Sequence, residues 1–124
     1  MSLGQAFAAL FSALETLASM DADLSHRLSV VYRRCLRSMD TSCVEPEATR
    51  RQLEALRDTL AKHDPEGAAG AIATRASRVQ GLDSQTMESM AREVVDLYMD
   101  LLLGGRSLNG PGNGYNQKKN GAKI

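Results

Sequence analysis

Apolar residues in this chain recur at spacings of three and four, and that one property rules out most architectures. Leu3, Phe7, Leu10, Leu14 and Leu17 are separated by four, three, four and three residues, with Phe11 widening the stripe. Such spacing stacks side chains on one face of an α-helix, whereas a half-buried strand would alternate them with polar residues. Leu24, Leu28, Val31, Cys35 and Met39, flanked by Tyr32 and Leu36, form a second line, and Leu53, Leu56 and Leu60 a third. Met87, Met90, Val94, Leu97 and Leu101, with Tyr98 and Leu102 beside them, form the last. Aromatic residues are 4% of the chain against 43% hydrophobic, and Trp is absent. An aliphatic core of this kind suits helix packing better than a sandwich or barrel.

The residues between these lines are helix punctuation. Pro46 is suited to a first helical position, where the amide it lacks would have no partner. Lys62-His63 end that helix, and Asp64-Pro65-Glu66 open the next, with Asp64 placed to cap free amides. Ala68, Ala69, Ile72, Ala76 and Val79 follow as a stripe of mostly small residues, so 45–79 reads as a helical hairpin with closely packed arms. Asp23 and Asp83 are further caps, and Gly81 and Gly104-Gly105 are stops. The expected fold is all-α, a small bundle of four to five antiparallel helices near 3–19, 23–39, 46–62, 65–80 and 84–103, joined by short connections. A chain of 124 residues is enough for one such domain, placed at 1–103. The Gly-, Asn- and Lys-rich stretch 104–124 has little to bury and is expected to be a disordered tail.

The formal net charge is zero, but 104–124 holds Arg106, Lys118, Lys119 and Lys123 and no acid. The body therefore carries 11 basic against 15 acidic residues, a poor surface for nucleic acid. Arg27, Arg33, Arg34 and Arg37 make the second helix cationic. They are expected largely on its outer side, where they would make a basic patch or dock against acids such as Glu45, Glu47 and Glu54; no interleaved aromatics or groove-reading motif accompany them. Two cysteines are too few for a disulfide scaffold. No basic residue precedes Arg27 and Glu15 interrupts the apolar start, so a signal-peptide n-region is missing, and no apolar run has membrane-spanning length. A cytoplasmic location is expected.

Candidate chemistry is sparse. His26, Cys35, Cys43 and His63 form none of the paired spacings by which one turn presents two metal ligands, so no metal or other cofactor is expected. No glycine-flanked serine elbow and no phosphate-binding loop is present, and Glu88, Glu93 and Asp96 belong to the polar side of the last helix. No catalytic residue is assigned. Continuous stripes on both the first and last helices leave a small bundle with apolar surface to cover, which points to a protein partner or a homo-oligomer. Met87, Met90 and Val94 are the candidate partner-binding residues on the last helix, methionine being adaptable both at such surfaces and as core filler.

Two families are similar to parts of the chain. RRQLEALRDTLAKHDPEGAAGAIATRASRV resembles the last two helices of the effector-binding (FCD) domain of GntR-type transcription regulators of the FadR class, with Leu56, Leu60, Asp64-Pro65-Glu66, Ala68 and Ile72 in step. Phe11 and Ala18-Ser19, Asp21 and Leu24 match the preceding helices more loosely. That resemblance implies a regulatory, effector-binding helical domain and a small carboxylate ligand, for which Arg75 would be the fixed charge. Family members often hold a metal through an Asp and three His, but Leu53 and Arg75 stand where the first two His would be, so the metal is not carried over. The winged helix that precedes the domain in that family has no counterpart in this sequence. SMDADLSHRLSVVYRRCL followed by QLEALRDTLAKH is also similar to flagellin export chaperones, through Ser19, Asp21, Leu28, Val31, Tyr32, Leu56 and Arg57 and with a gap of about one helical turn. This second resemblance implies an export or assembly chaperone that receives a partner helix.

Overall fold

The computed structural model describes residues 3–103, and the expected tail at 104–124 lies outside them. Five α-helices follow one another: α1 (Leu3–Ser19), α2 (Leu24–Val31), α3 (Glu47–Lys62), α4 (Pro65–Ala68) and α5 (Ser84–Leu102). Among the described residues there is no strand, and the fold is all-α. None of these helices is long and apolar enough to cross a membrane.

The caps fall where short acidic side chains can accept from free amides. Asp23 accepts from the His26 amide at 3.0 Å and Asp83 from the Thr86 amide at 2.7 Å. Pro46 sits one place before α3, at its cap. α1 and α5 are antiparallel neighbours, since the Phe7 ring meets Tyr98 edge-on at 4.9 Å while Leu14 and Leu17 lie beside Ala91 and Val95. α2 and α3 complete the enclosure of a core whose fully buried members include Leu10, Leu28, Leu36, Leu53, Leu60 and Leu97.

Two expectations are overturned. The helix expected over 65–80 is a single turn ending at Ala68. Gly70 takes a left-handed φ of 109°, its amide bonds Gly67 O at 3.0 Å, and the Ala71 amide reaches back to Glu66 O at 2.9 Å. That pair of bonds is the Schellman termination, which glycine adopts at least cost. Residues 69–83 then run as an irregular strap. Ala68, Ala69, Ile72 and Ala76, expected as a packed stripe, are exposed, and Ile72 is 73% exposed. Of that stripe only Val79 is buried.

The helix expected over 23–39 changes character at its middle. After Val31 it passes into a π-helical turn, Tyr32–Leu36, in which the Arg37 amide bonds Tyr32 O, five residues back, at 2.8 Å. Ser29, Val30 and Arg33 are drawn inside together with Leu28, Val31, Tyr32 and Leu36. Arg33 therefore does not lie on the outer side, where an arginine run on a simple amphipathic helix would place it.

Candidate functional site

Arg33 enters the interior because Asp64 waits there. Its Nε donates to Asp64 Oδ2 at 2.9 Å and its Nη2 to Oδ1 at 2.6 Å, a two-pronged contact with both side chains nearly sealed from solvent. Ser29 Oγ adds a bond to Oδ2 at 2.8 Å, and the Gly67 amide one to Oδ1 at 3.3 Å. Burial alone would push the Asp64 carboxyl up, but the bonds from Arg33 and Ser29 and the nearby positive charge hold it below the usual carboxylate range. The bond to Asp64 and its charge raise Arg33 further. Gly67 is required by contact rather than by dihedral: a Cβ there would stand 2.5 Å from Asp64 Oδ2 and 2.7 Å from Arg33 Nε.

Basic side chains also carry the strap. Arg33 Nη1 donates to Ile72 O at 3.0 Å, and Arg37 Nη1 to Gly67 O and Ala71 O at 2.8 and 2.6 Å. Farther along, His26 Nδ1 bonds Ser77 O at 2.6 Å and His63 Nδ1 bonds Gln80 O at 2.7 Å. A carbonyl only accepts, so both imidazoles carry their proton on Nδ1. The strap backbone closes the arrangement through Val79 N–H to Ser25 O and Gln80 N–H to His63 O. Every oxygen that these four basic residues hold on the strap is a main-chain carbonyl.

Of the four arginines expected largely on the outer side of the second helix, only Arg34 is exposed. Arg33 and Arg37 are committed to Asp64 and the strap, while Arg27 donates from Nε to Ala22 O and from Nη1 to Leu17 O. None of the three pairs with Glu45, Glu47 or Glu54. Glu47 instead meets Arg51 of its own helix at 2.6 Å, and Glu54 accepts from Thr41 Oγ1 at 2.5 Å.

The other feature of note is apolar. Between α1, the start of α2 and the first half of α5 lies an open groove of about 610 Å³. Leu14, Leu17 and Ala18 form one wall, Ala91 and Val95 the other, and Leu24 closes the end, with Arg27, Glu88 and Arg92 on the rim. The apolar surface continues past the groove. Val95 in the wall is 43% exposed, and beyond it Phe11 is 47% exposed beside Tyr98 and Leu102 50%.

Of the residues singled out on the last helix, Met87 is half-buried, and Met90 and Val94 are in the core. Their spacing is the packing face of α5, so a partner cannot meet Met90 and Val94 without opening the fold. The outward apolar line is instead Val95, Met99 and Leu102, continued toward the N-terminus by Arg92 and Glu88. Its spacing of four, three, four and three was present in the sequence but hidden by the stronger core stripe. Arg75 is exposed on the strap and lines none of the described recesses.

A second recess of about 590 Å³ lies between α1 and the π turn. It is more polar, and its Thr16 and Ser19 hydroxyls are turned back onto the carbonyls of Ser12 and Glu15. Cys35 lines it, with its thiol pushed up by burial against the partial opposition of Arg34. Among the described residues no group of three His, Cys, Asp or Glu side chains is placed to hold a metal ion. On α5, burial raises both Glu93 and Asp100, and Asp96 adds like-charge repulsion to each. Asp100 is only 7% exposed and has no hydrogen-bond or ion-pair partner among the described residues. Compared with known proteins, the chain matches no family model, no curated protein and no solved structure.

Proposed function

We propose that this protein is a non-catalytic regulatory or adaptor module that works by seating an amphipathic helix of a protein partner between α1 and α5. The observation that carries this is the open apolar groove walled by Leu14, Leu17, Ala18, Ala91 and Val95 and prolonged by exposed Phe11 and Leu102. Two antiparallel helices with such a furrow offer the surface into which an amphipathic helix lays side chains at i, i+3 and i+4. α1 favours the same use, since Glu15 is the only charged residue in its 17. A helix so poor in charge is ordinarily covered on more than one side.

The groove fits the helix-receiving role implied by the likeness to flagellin export chaperones. A carboxylate effector would call for an enclosed pocket with a fixed cation. Arg75, the cation which the likeness to GntR-type regulators supplies, stands exposed on the strap.

The test is a selection of displayed amphipathic helices on the full chain, followed by binding to two variants. Helices that bind the wild type are expected to lose Val95→Glu, in the groove, and to retain Arg51→Glu, on exposed α3. Binders indifferent to Val95→Glu would refute the proposal. So would a thermal shift with a small carboxylate that Arg75→Gln abolishes, or turnover of any substrate.

A further inference from the structure

We infer that the helix received by the α1/α5 groove carries acidic side chains in its last turn, and lies with that turn over Arg27 and Arg92. This rests on the helix-seating role proposed above and adds to it the partner's charge and direction.

The groove has two unlike ends. Near its middle and beyond, Phe11, Val95 and Leu102 present apolar surface. At the other end, where α1 finishes and α5 begins, the rim is ionic. Arg27 is fixed there by bonds to Ala22 O at 2.9 Å and Leu17 O at 2.7 Å, which use Nε and Nη1 and leave Nη2 without an acceptor among the described residues. Arg92 is exposed on the opposite wall and has no ion-pair partner among the described residues. Glu88, one turn before it, offsets one of the two charges, so the residues that line the groove carry one net positive charge.

A helix laid in the groove would remove water from these guanidinium groups. An uncompensated charge so covered is costly, whereas a carboxylate placed between two cations is recognised with both affinity and orientation. The carbonyls at a helix C-terminus carry partial negative charge of their own, which adds to an acidic last turn and opposes a first turn at the same place. Arg27 already donates to one such carbonyl, Leu17 O in the last turn of α1. Charge complementarity thus selects one occupant from the amphipathic helices that the apolar walls would accept.

The experiment uses the full chain and a displayed library of 18-residue amphipathic helices whose flanking positions vary among Glu, Lys and Gln. Helices selected on the wild type are expected to concentrate Glu in the last turn. Exchange of those residues for Lys should weaken Kd about tenfold. Selection on Arg92→Glu should invert the preference to Lys, and selection on Val95→Glu should return no groove binder. Both residues are exposed, and circular dichroism verifies that each variant is folded. Helices that require Val95 but show no charge preference, prefer Lys, concentrate Glu in the first turn, or ignore Arg92→Glu would overturn this inference while leaving the helix-seating role intact. Absence of any helix that depends on Val95, or a dimer of this chain alone that Val95→Glu dissociates, would overturn both.

Discussion

The α1/α5 pair and the 69–83 strap are built on opposite principles. α1 and α5 are long, regular and satisfied within their own backbones, and they adhere through Phe7, Leu10, Val94, Leu97 and Tyr98. The strap has no repeating structure, contributes little apolar surface beyond Val79 and Leu82, and is carried by charged and imidazole groups reaching to its carbonyls. Apolar packing tolerates repacking and is indifferent to proton concentration. The polar clasp depends on a few donors with exact placements, and one of its members is an ionised carboxylate in the interior.

The sharpest way to break that contrast is Asp64→Ala. It leaves Arg33 buried without its counter-ion and should cost about 3–5 kcal/mol, read as a loss of unfolding free energy in urea. Because the Asp64 carboxyl titrates below its unfolded value, its contribution is complete above the ordinary range near about pH 4. It is lost as pH falls through the lower folded value, so wild type and variant should converge in acid. Leu97→Ala, in the regular half, should cost about 2–4 kcal/mol. That difference should persist unchanged between pH 7 and pH 3, and convergence there would erase the distinction between the two regions.

Smaller effects sharpen it. Asp100 is a polar intruder in α5, and its folded carboxyl titrates above the unfolded one. The folded state then holds the proton more tightly, so the penalty is absent at low pH, grows as pH rises through that window, and is complete above the folded value. Asp100→Asn should therefore gain about 1 kcal/mol at pH 7 and nothing near pH 3, measured as a shift in Tm across pH. Phe11→Ser, on the exposed side of α1, should change stability by less than about 0.5 kcal/mol. It should nevertheless weaken any helix selected on the groove, by titration, because its ring lies on the route of the partner and outside the core.

The two regions also differ in what the sequence discloses. α1, α3 and α5 were legible to within a residue, since Leu3 through Leu17, Leu53 through Leu60 and Met90 through Leu101 each alternate spacings of three and four, and Pro46 and Asp83 mark the starts of α3 and α5. The strap was not. Ala68, Ala69, Ile72 and Ala76 also fall at helical spacing, but Gly70 could end that helix at once, and Gly67 admits Arg33 so close that the chain's course there is decided by contact from the π turn. Arg33 was hidden for the converse reason. Its place inside depends on Asp64, 31 residues away, and no local pattern reports a partner at that distance. In the candidate site, the groove's outer line at Val95 and Leu102 was present as a second period on α5, and only tertiary packing decides which of two periods faces in.

The π turn at Tyr32–Leu36 has a consequence for how the chain can vary in length. Such a turn holds one residue more than the α turn it replaces, yet the helix before it and the residues after it stay aligned on their own partners. Removing the codon for exposed Arg34 would let the segment close into unbroken α-helix, leaving Leu28 and Val31 on one flank and Leu36 on the other in their packed positions. An alignment with a relative whose helix is continuous there would need a single-residue gap within 32–36, and a comparison that forbids such a gap would misplace every core position on one side of it.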